Sequence, residues 1–231
     1  MSLWISISVA AAVFQTLRFM LQKVMAKQTL SAAGATFARF LYSAPLIVVL
    51  TTLYLSQTGQ AWPDLSPQFW MFAATGGLAQ VLATVCVVLV FKSRNFAVGI
   101  TFKKTEVILA VLVGIVILGD QVSWQGLGAI VMGLIGVLLL SSPAQIGVWN
   151  WRMMFNRAAG LGILSGALFA VSAVTYRGAS LQLDMADHWG RAGVTLAMVT
   201  SMQLTGMAIY LFLRERGEIS AVWQARRVAG W

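Results

Sequence analysis

Seven apolar runs, each long enough to cross a bilayer, dominate this chain. They are Trp4–Gln22, Ser31–Leu55, Phe69–Phe91, Phe96–Leu118, Trp124–Ser141, Ala159–Tyr176 and Gly193–Leu213. A bilayer core accepts a helix of about 20 mainly apolar residues. Inside lipid every backbone N–H and C=O must be satisfied within the protein, so runs of this kind predict helices. The connectors are short and carry loop residues, as in "LSQTGQAWPDLSPQFW" and "SSPAQIGVWNWRMMFNR". The pattern predicts an all-α integral membrane protein with seven transmembrane helices. Composition agrees: 59% of residues are hydrophobic and 10% charged, against roughly 45–50% and 25% in soluble domains. The first run reads as a span rather than a cleaved signal peptide, because no basic region precedes it and Arg18 interrupts it.

The net charge of +9 does not gather into a nucleic-acid-binding patch. It falls between the runs, where membrane topology places it. The side facing the first loop receives Lys23, Lys27, Lys92, Arg94, Arg152, Arg157, Arg214, Arg216, Arg226 and Arg227. The opposite side receives only Arg177 and Arg191, beside Asp64, Asp120, Asp184 and Asp187. The positive-inside rule makes the first side cytoplasmic and puts the N-terminus outside. The expected location is the bacterial inner (cytoplasmic) membrane. One cysteine, Cys86, and one histidine, His188, leave no intramolecular disulfide and no metal-ligand cluster to expect. No cofactor is implied.

Short matches suggest an internal repeat. "AGATFARF" at 33–40 resembles "AGVTLAMV" at 192–199, and "VAAAVFQ" at 9–15 resembles "LSGALFA" at 164–170. The similar offsets place five spans before a second copy that begins with the sixth. An odd number of spans per copy inverts the second one, as in secondary transporters. Residues 1–143 would form the first five-helix repeat and 144–158 a cytoplasmic connecting loop. Residues 159–231 would hold an incomplete second repeat, two helices and the start of a third, of a ten-helix design. The chain is therefore expected to be a truncated product.

Three pieces resemble the EamA-domain family of the drug/metabolite transporter superfamily. "NFAVGITFKKTEVILAVLVGIVILGD" is similar to that family's fourth helix and its Leu-Gly-Glu exit, with Asp120 in place of the glutamate. "SWQGLGAIVMGLIGVLLL" resembles its fifth helix, and "ARF" in the second span is a third likeness. The proline usual in the fourth helix is absent near Glu106–Val107. The resemblance implies a five-plus-five inverted-repeat transporter, and it suggests export and proton coupling.

Charges inside the runs supply the candidate site. Arg18, Arg39, Lys103 and Lys104 are basic, and Glu106 is the one acid. Each costs about 2.5–3.5 kcal/mol at mid-bilayer on insertion scales, so each must sit shallow or find a partner. In one continuous helix entered at Phe96, Lys103 lies about 10 Å deep and Glu106 about 15 Å. At 100° per residue Lys103 and Glu106 share a face, and Lys104 points away. Both lysines lean toward the cytoplasm and can snorkel; the shorter Glu106 cannot. Glu106 is thus the residue that most needs a functional role, as a substrate contact or proton-coupling group, with Lys103, Arg18 and Arg39 as further binding candidates. Arg39 also reads as a headgroup anchor. A cavity with this excess of cations favours a substrate bearing a carboxylate or other anion.

Other signals are structural. Gly126, Ala129, Gly133 and Gly136 share one face of the fifth span and predict close helix packing. Gln15, Gln80 and Gln203 either line a pathway or bridge helices, and Trp62, Trp70, Trp149 and Trp151 read as interfacial anchors. The expectation is a secondary transporter exporting a small organic metabolite, with the bilayer and that substrate as its partners. A membrane enzyme would need a nucleophile with its base, or a metal cluster, inside the spans. A non-transporting packing module is the other alternative.

Overall fold

A computed structural model describes residues 3–28, 30–93, 96–141 and 157–224. Nine helices account for nearly all of these: α1 Leu3–Gln28, α2 Ala32–Gln57, α3 Pro67–Lys92, α4 Phe96–Lys103, α5 Glu106–Leu118, α6 Trp124–Ser141, α7 Arg157–Leu181, α8 His188–Arg214 and α9 Arg216–Gln224. Among the described residues α2, α3, α7 and α8 are long and apolar enough to cross a membrane. The chain is in this sense a membrane protein. Shorter apolar stretches occupy Ile5–Leu17 of α1 and Trp124–Gly136 of α6. Most of the connecting loop, including Trp149, Trp151 and Arg152, lies outside the described residues, as do Arg94, Arg226 and Arg227.

Local chemistry sets the helix starts. Ser31, Ser66 and Asp187 cap α2, α3 and α8, each side chain accepting a backbone N–H of the first turn. Pro67 follows Ser66 at the first helical position, where its missing N–H costs nothing. Gly119 ends α5 with φ of 68°, a left-handed cap that suits glycine.

The fourth apolar run is not one helix. It breaks between Lys103 and Glu106 into α4 and α5, of 8 and 13 residues. At 1.5 Å per residue these reach about 12 and 20 Å, so neither crosses a core of about 30 Å alone. Tight i→i−3 bonds close the joint, Lys104 N–H to the Thr101 carbonyl at 3.0 Å and Thr105 N–H to the Phe102 carbonyl at 3.1 Å. The Thr105 hydroxyl also donates to the Phe102 carbonyl at 2.8 Å. A side chain competing for helix carbonyls supplies a break without proline.

Helix α7 is the centre of the bundle, packed against α3 on one side and against α4 and α5 on another. Small residues permit the approach. A Cβ at Gly162 would collide with the Gly99 backbone, and one at Gly166 would sit 3.0 Å from the Lys103 carbonyl oxygen. Gly76 of α3 receives Thr175 and Tyr176 of α7, and Gly178 of α7 receives Phe72. This is the small-residue packing by which membrane helices associate.

Helices α2 and α8 form a second, antiparallel pair. Polar contacts tie the ends of the bundle. At one end the Ser31 hydroxyl donates to Glu215 at 2.6 Å, the Ser31 N–H donates to Glu218 at 3.0 Å, and Lys92 Nζ donates to the Leu30 carbonyl at 2.8 Å. At the other, the Tyr54 hydroxyl donates to Asp187 at 2.9 Å, and Asp120 pairs with Arg177 at 2.6 Å. Residues assigned from the sequence to one membrane side thus meet at one end of the bundle. Outward faces stay apolar: Leu50, Met71, Val116 and Met132 are all exposed. So much exposed apolar surface suits lipid rather than water.

Candidate functional site

The joint between α4 and α5 brings the charges together. Lys103 Nζ and Glu106 Oε2 form an ion pair at 2.5 Å, as their shared face predicts. The same ammonium lies 4.5 Å from the centroid of the Phe169 ring on α7. Lys103 is 8% exposed, so it does not snorkel; it is buried against a half-buried countercharge. Lys104 is exposed. A buried charge is held when an opposite charge and a polarisable face surround it, and removing one partner of such a pair costs about 3–5 kcal/mol.

Beside the joint is a cleft of about 410 Å³ lined by Ala12, Gln15, Thr16, Phe91, Ile100, Lys103 and Lys104. Three helices build it. Gln15 and Thr16 of α1 supply polar groups, Phe91 of α3 and Ile100 of α4 an apolar wall, and the two lysines positive charge. Glu106 does not line it and reaches Lys103 from the first turn of α5.

The four binding candidates do not converge. Arg39 lies elsewhere, its Nη1 3.3 Å from the Thr84 hydroxyl and its guanidinium 5.1 Å from the Phe40 ring centroid. It does not line the cleft. Arg18 belongs to α1, and its side-chain surroundings lie outside the described residues.

The glutamines divide by role. Gln15 lines the cleft, whereas Gln80 and Gln203 bridge helices. The Gln203 amide donates to the Gly77 carbonyl at 3.0 Å, Gln80 Oε1 at 2.9 Å and the Tyr176 hydroxyl at 3.0 Å. Tyr176 in turn donates to Gln80 Oε1 at 3.0 Å. This network joins α3, α7 and α8 at a buried point. The Oε1 of Gln203 and the hydroxyl of Tyr42 are buried with no hydrogen-bond partner among the described residues. Gln80 and Gln203 stand out in the sequence as polar side chains within apolar runs, whereas Tyr176, Thr16 and Phe169 do not. A hydroxyl or an aromatic ring in an apolar run carries too little signal to stand out.

The packing face of α6 meets nothing among the described residues. Ala129, Gly133 and Gly136 are exposed, and a Cβ at Gly133 or Gly136 would have no atom within 4 Å. Gly126 faces only Ser123 and Val122 just before its own helix. No group of three or more metal-ligating side chains occurs among the described residues. Comparison with protein-family models and with curated proteins finds no match.

Proposed function

We propose that the chain is a secondary transporter of a small organic metabolite, with the cleft beside the α4–α5 joint as its substrate site. The observation that carries this reading is the broken helix. Broken helices at membrane depth recur in transporters where they line a cavity, since irregular backbone is tolerated only there or inside protein. Here the break carries the ion pair Lys103–Glu106, and two lysines line the adjacent cleft. Excess positive charge there favours a carboxylate-bearing substrate.

Inverted repeats within a seven-span topology belong to the same reading. Matching lengths to within one residue support it: α1 and α7 have 26 and 25 residues, α2 and α8 26 and 27. So does the pairing of α2 with α8, in which the N-cap residue of each helix bonds near the other's C-terminus. An antiparallel pair related by a two-fold axis in the membrane has that form. Glu106 is the proton-coupling residue in this reading, and export through the bacterial inner membrane follows from the EamA-like pattern.

The deciding measurement is flux. Proteoliposomes holding the chain should move radiolabelled organic acids under a proton gradient, and the Glu106→Gln protein should lose the gradient dependence. Flux indistinguishable from empty liposomes across a panel of organic acids would remove the transporter reading. The unpacked face of α6 favours one other role, a packing module without transport, and flux also separates the two.

A further inference from the structure

We infer that Glu106 is an internal stand-in for the ligand: a carboxylate entering the cleft takes Lys103 away from Glu106. The inference rests on the cleft being the substrate site and concerns how that site is occupied. Lys103 is the shared element. It lines the cleft with Gln15, Thr16 and Lys104, yet its ammonium is engaged by Glu106 at 2.5 Å and faces the Phe169 ring at 4.5 Å. Glu106 approaches across the helix joint and stays outside the cleft lining. An anion in the cleft and the Glu106 carboxylate therefore address one buried cation from two elements.

Both cannot hold it at full strength. Two carboxylates brought to one ammonium repel each other, and in a low-dielectric site like charges repel far more than in water. Glu106 opens α5 just after the i→i−3 bonds of the joint, and its side chain is 28% exposed, which leaves it room to turn away from Lys103. Lys104 and the Gln15 amide can satisfy the incoming group, while Phe91 and Ile100 offer it an apolar wall. A cleft of about 410 Å³ is near the small end of ligand pockets, roughly 300–1,000 Å³. The ligand class is a small monocarboxylate with an apolar body.

Displacement makes a prediction that a direct contact does not. If Glu106 competes with the ligand, Glu106→Gln tightens binding of the anion; if Glu106 touches the ligand or only supports the fold, the same change weakens it or leaves it alone. The test is calorimetric titration of the full chain in detergent with benzoate and its neutral analogue benzamide. Benzoate should bind the Glu106→Gln protein about tenfold or more tighter than wild type, the scale of a hydrogen bond to a charged group. Benzamide affinity should not change, and Lys103→Gln should abolish benzoate binding with or without Glu106→Gln. Unchanged or weaker benzoate binding in Glu106→Gln, or no benzoate binding to either protein, overturns the inference. Should Glu106→Gln fail to fold, Glu106→Asp shortens the competing side chain and must shift benzoate affinity in the same direction. Flux in proteoliposomes is measured separately, so intact transport beside a failed titration would remove the competition and leave the transporter reading standing.

Discussion

The Asp187 carboxylate shows how much one side chain can do at a helix end. It accepts the backbone N–H of Gly190 at 2.8 Å and of Trp189 at 3.1 Å, and the Tyr54 hydroxyl at 2.9 Å. The Gly190 bond is the main cause that holds its pKa below the ordinary carboxylate value; partial burial opposes this, and Tyr54, Trp189 and Gln60 add to the lowering. A group depressed on folding stabilises the native state above its unfolded pKa. That contribution is lost as pH falls through the lower, folded value. Thermal unfolding in detergent should therefore show wild type losing stability as pH drops below about 4, with Asp187→Asn, which keeps the cap, showing a flatter profile. Parallel profiles would mean that the carboxylate is not differentially stabilised. Gln203 makes the complementary case in the bundle interior. Replacing it with leucine removes bonds to three partners on α3 and α7. Interhelical bonds in membranes contribute about 0.6 kcal/mol each, up to about 1.7, so Gln203→Leu should destabilise the protein by about 1–2 kcal/mol in steric-trap or detergent unfolding.

At the scale of elements, the contact between α7 and the α4–α5 joint decides whether the ion pair can form. Glycines at 162 and 166 bring the α7 backbone against Gly99 and Lys103. Gly162→Val should force α4 outward and cost about 1–3 kcal/mol of stability as an overpacked site. Gly160→Val on the same helix is the control, because a Cβ there meets nothing within 4 Å. Equal effects of the two would show that β-branching in the helix, rather than the close approach, is responsible. The break itself was not legible in the sequence. "TFKKTEVILA" offers no proline or glycine at the joint, and an apolar period looks the same on one helix or on two collinear pieces. What breaks the helix is the Thr105 hydroxyl and the seat on α7. The second of these depends on residues some 60 positions away. The Lys103–Glu106 pairing was legible because a spacing of three survives the break. That Arg39 lies away from this cavity was not legible, since depth along a helix says nothing about which neighbour the side chain faces.

At the scale of the whole molecule, apolar length and charge alternation were legible because lipid leaves few ways to fold. The bounds of α6 match the fifth apolar run at both ends, α3, α7 and α8 extend theirs by a few residues, and α2 starts one residue later and ends two later than its run. The ends of the bundle then carry an orientation argument. Lys92, Arg157, Arg214 and Arg216 sit at helix termini on the end where Ser31 meets Glu215, whereas Asp120, Asp187 and Arg177 sit at the opposite end. The positive-inside rule predicts that the first end is cytoplasmic. This can be mapped with single cysteines, because the native Cys86 is buried and free. Thr58, which follows α2, and Ser220, on α9, are both exposed and belong to opposite ends. In intact cells a membrane-impermeant maleimide should label Thr58→Cys and spare Ser220→Cys, with Ser220→Cys becoming reactive only after permeabilisation. Inverted labelling would reverse the orientation while keeping the bundle. Labelling of both positions from outside would mean that α2 and α8 do not separate two compartments, and the membrane-spanning reading of those helices would fall with it.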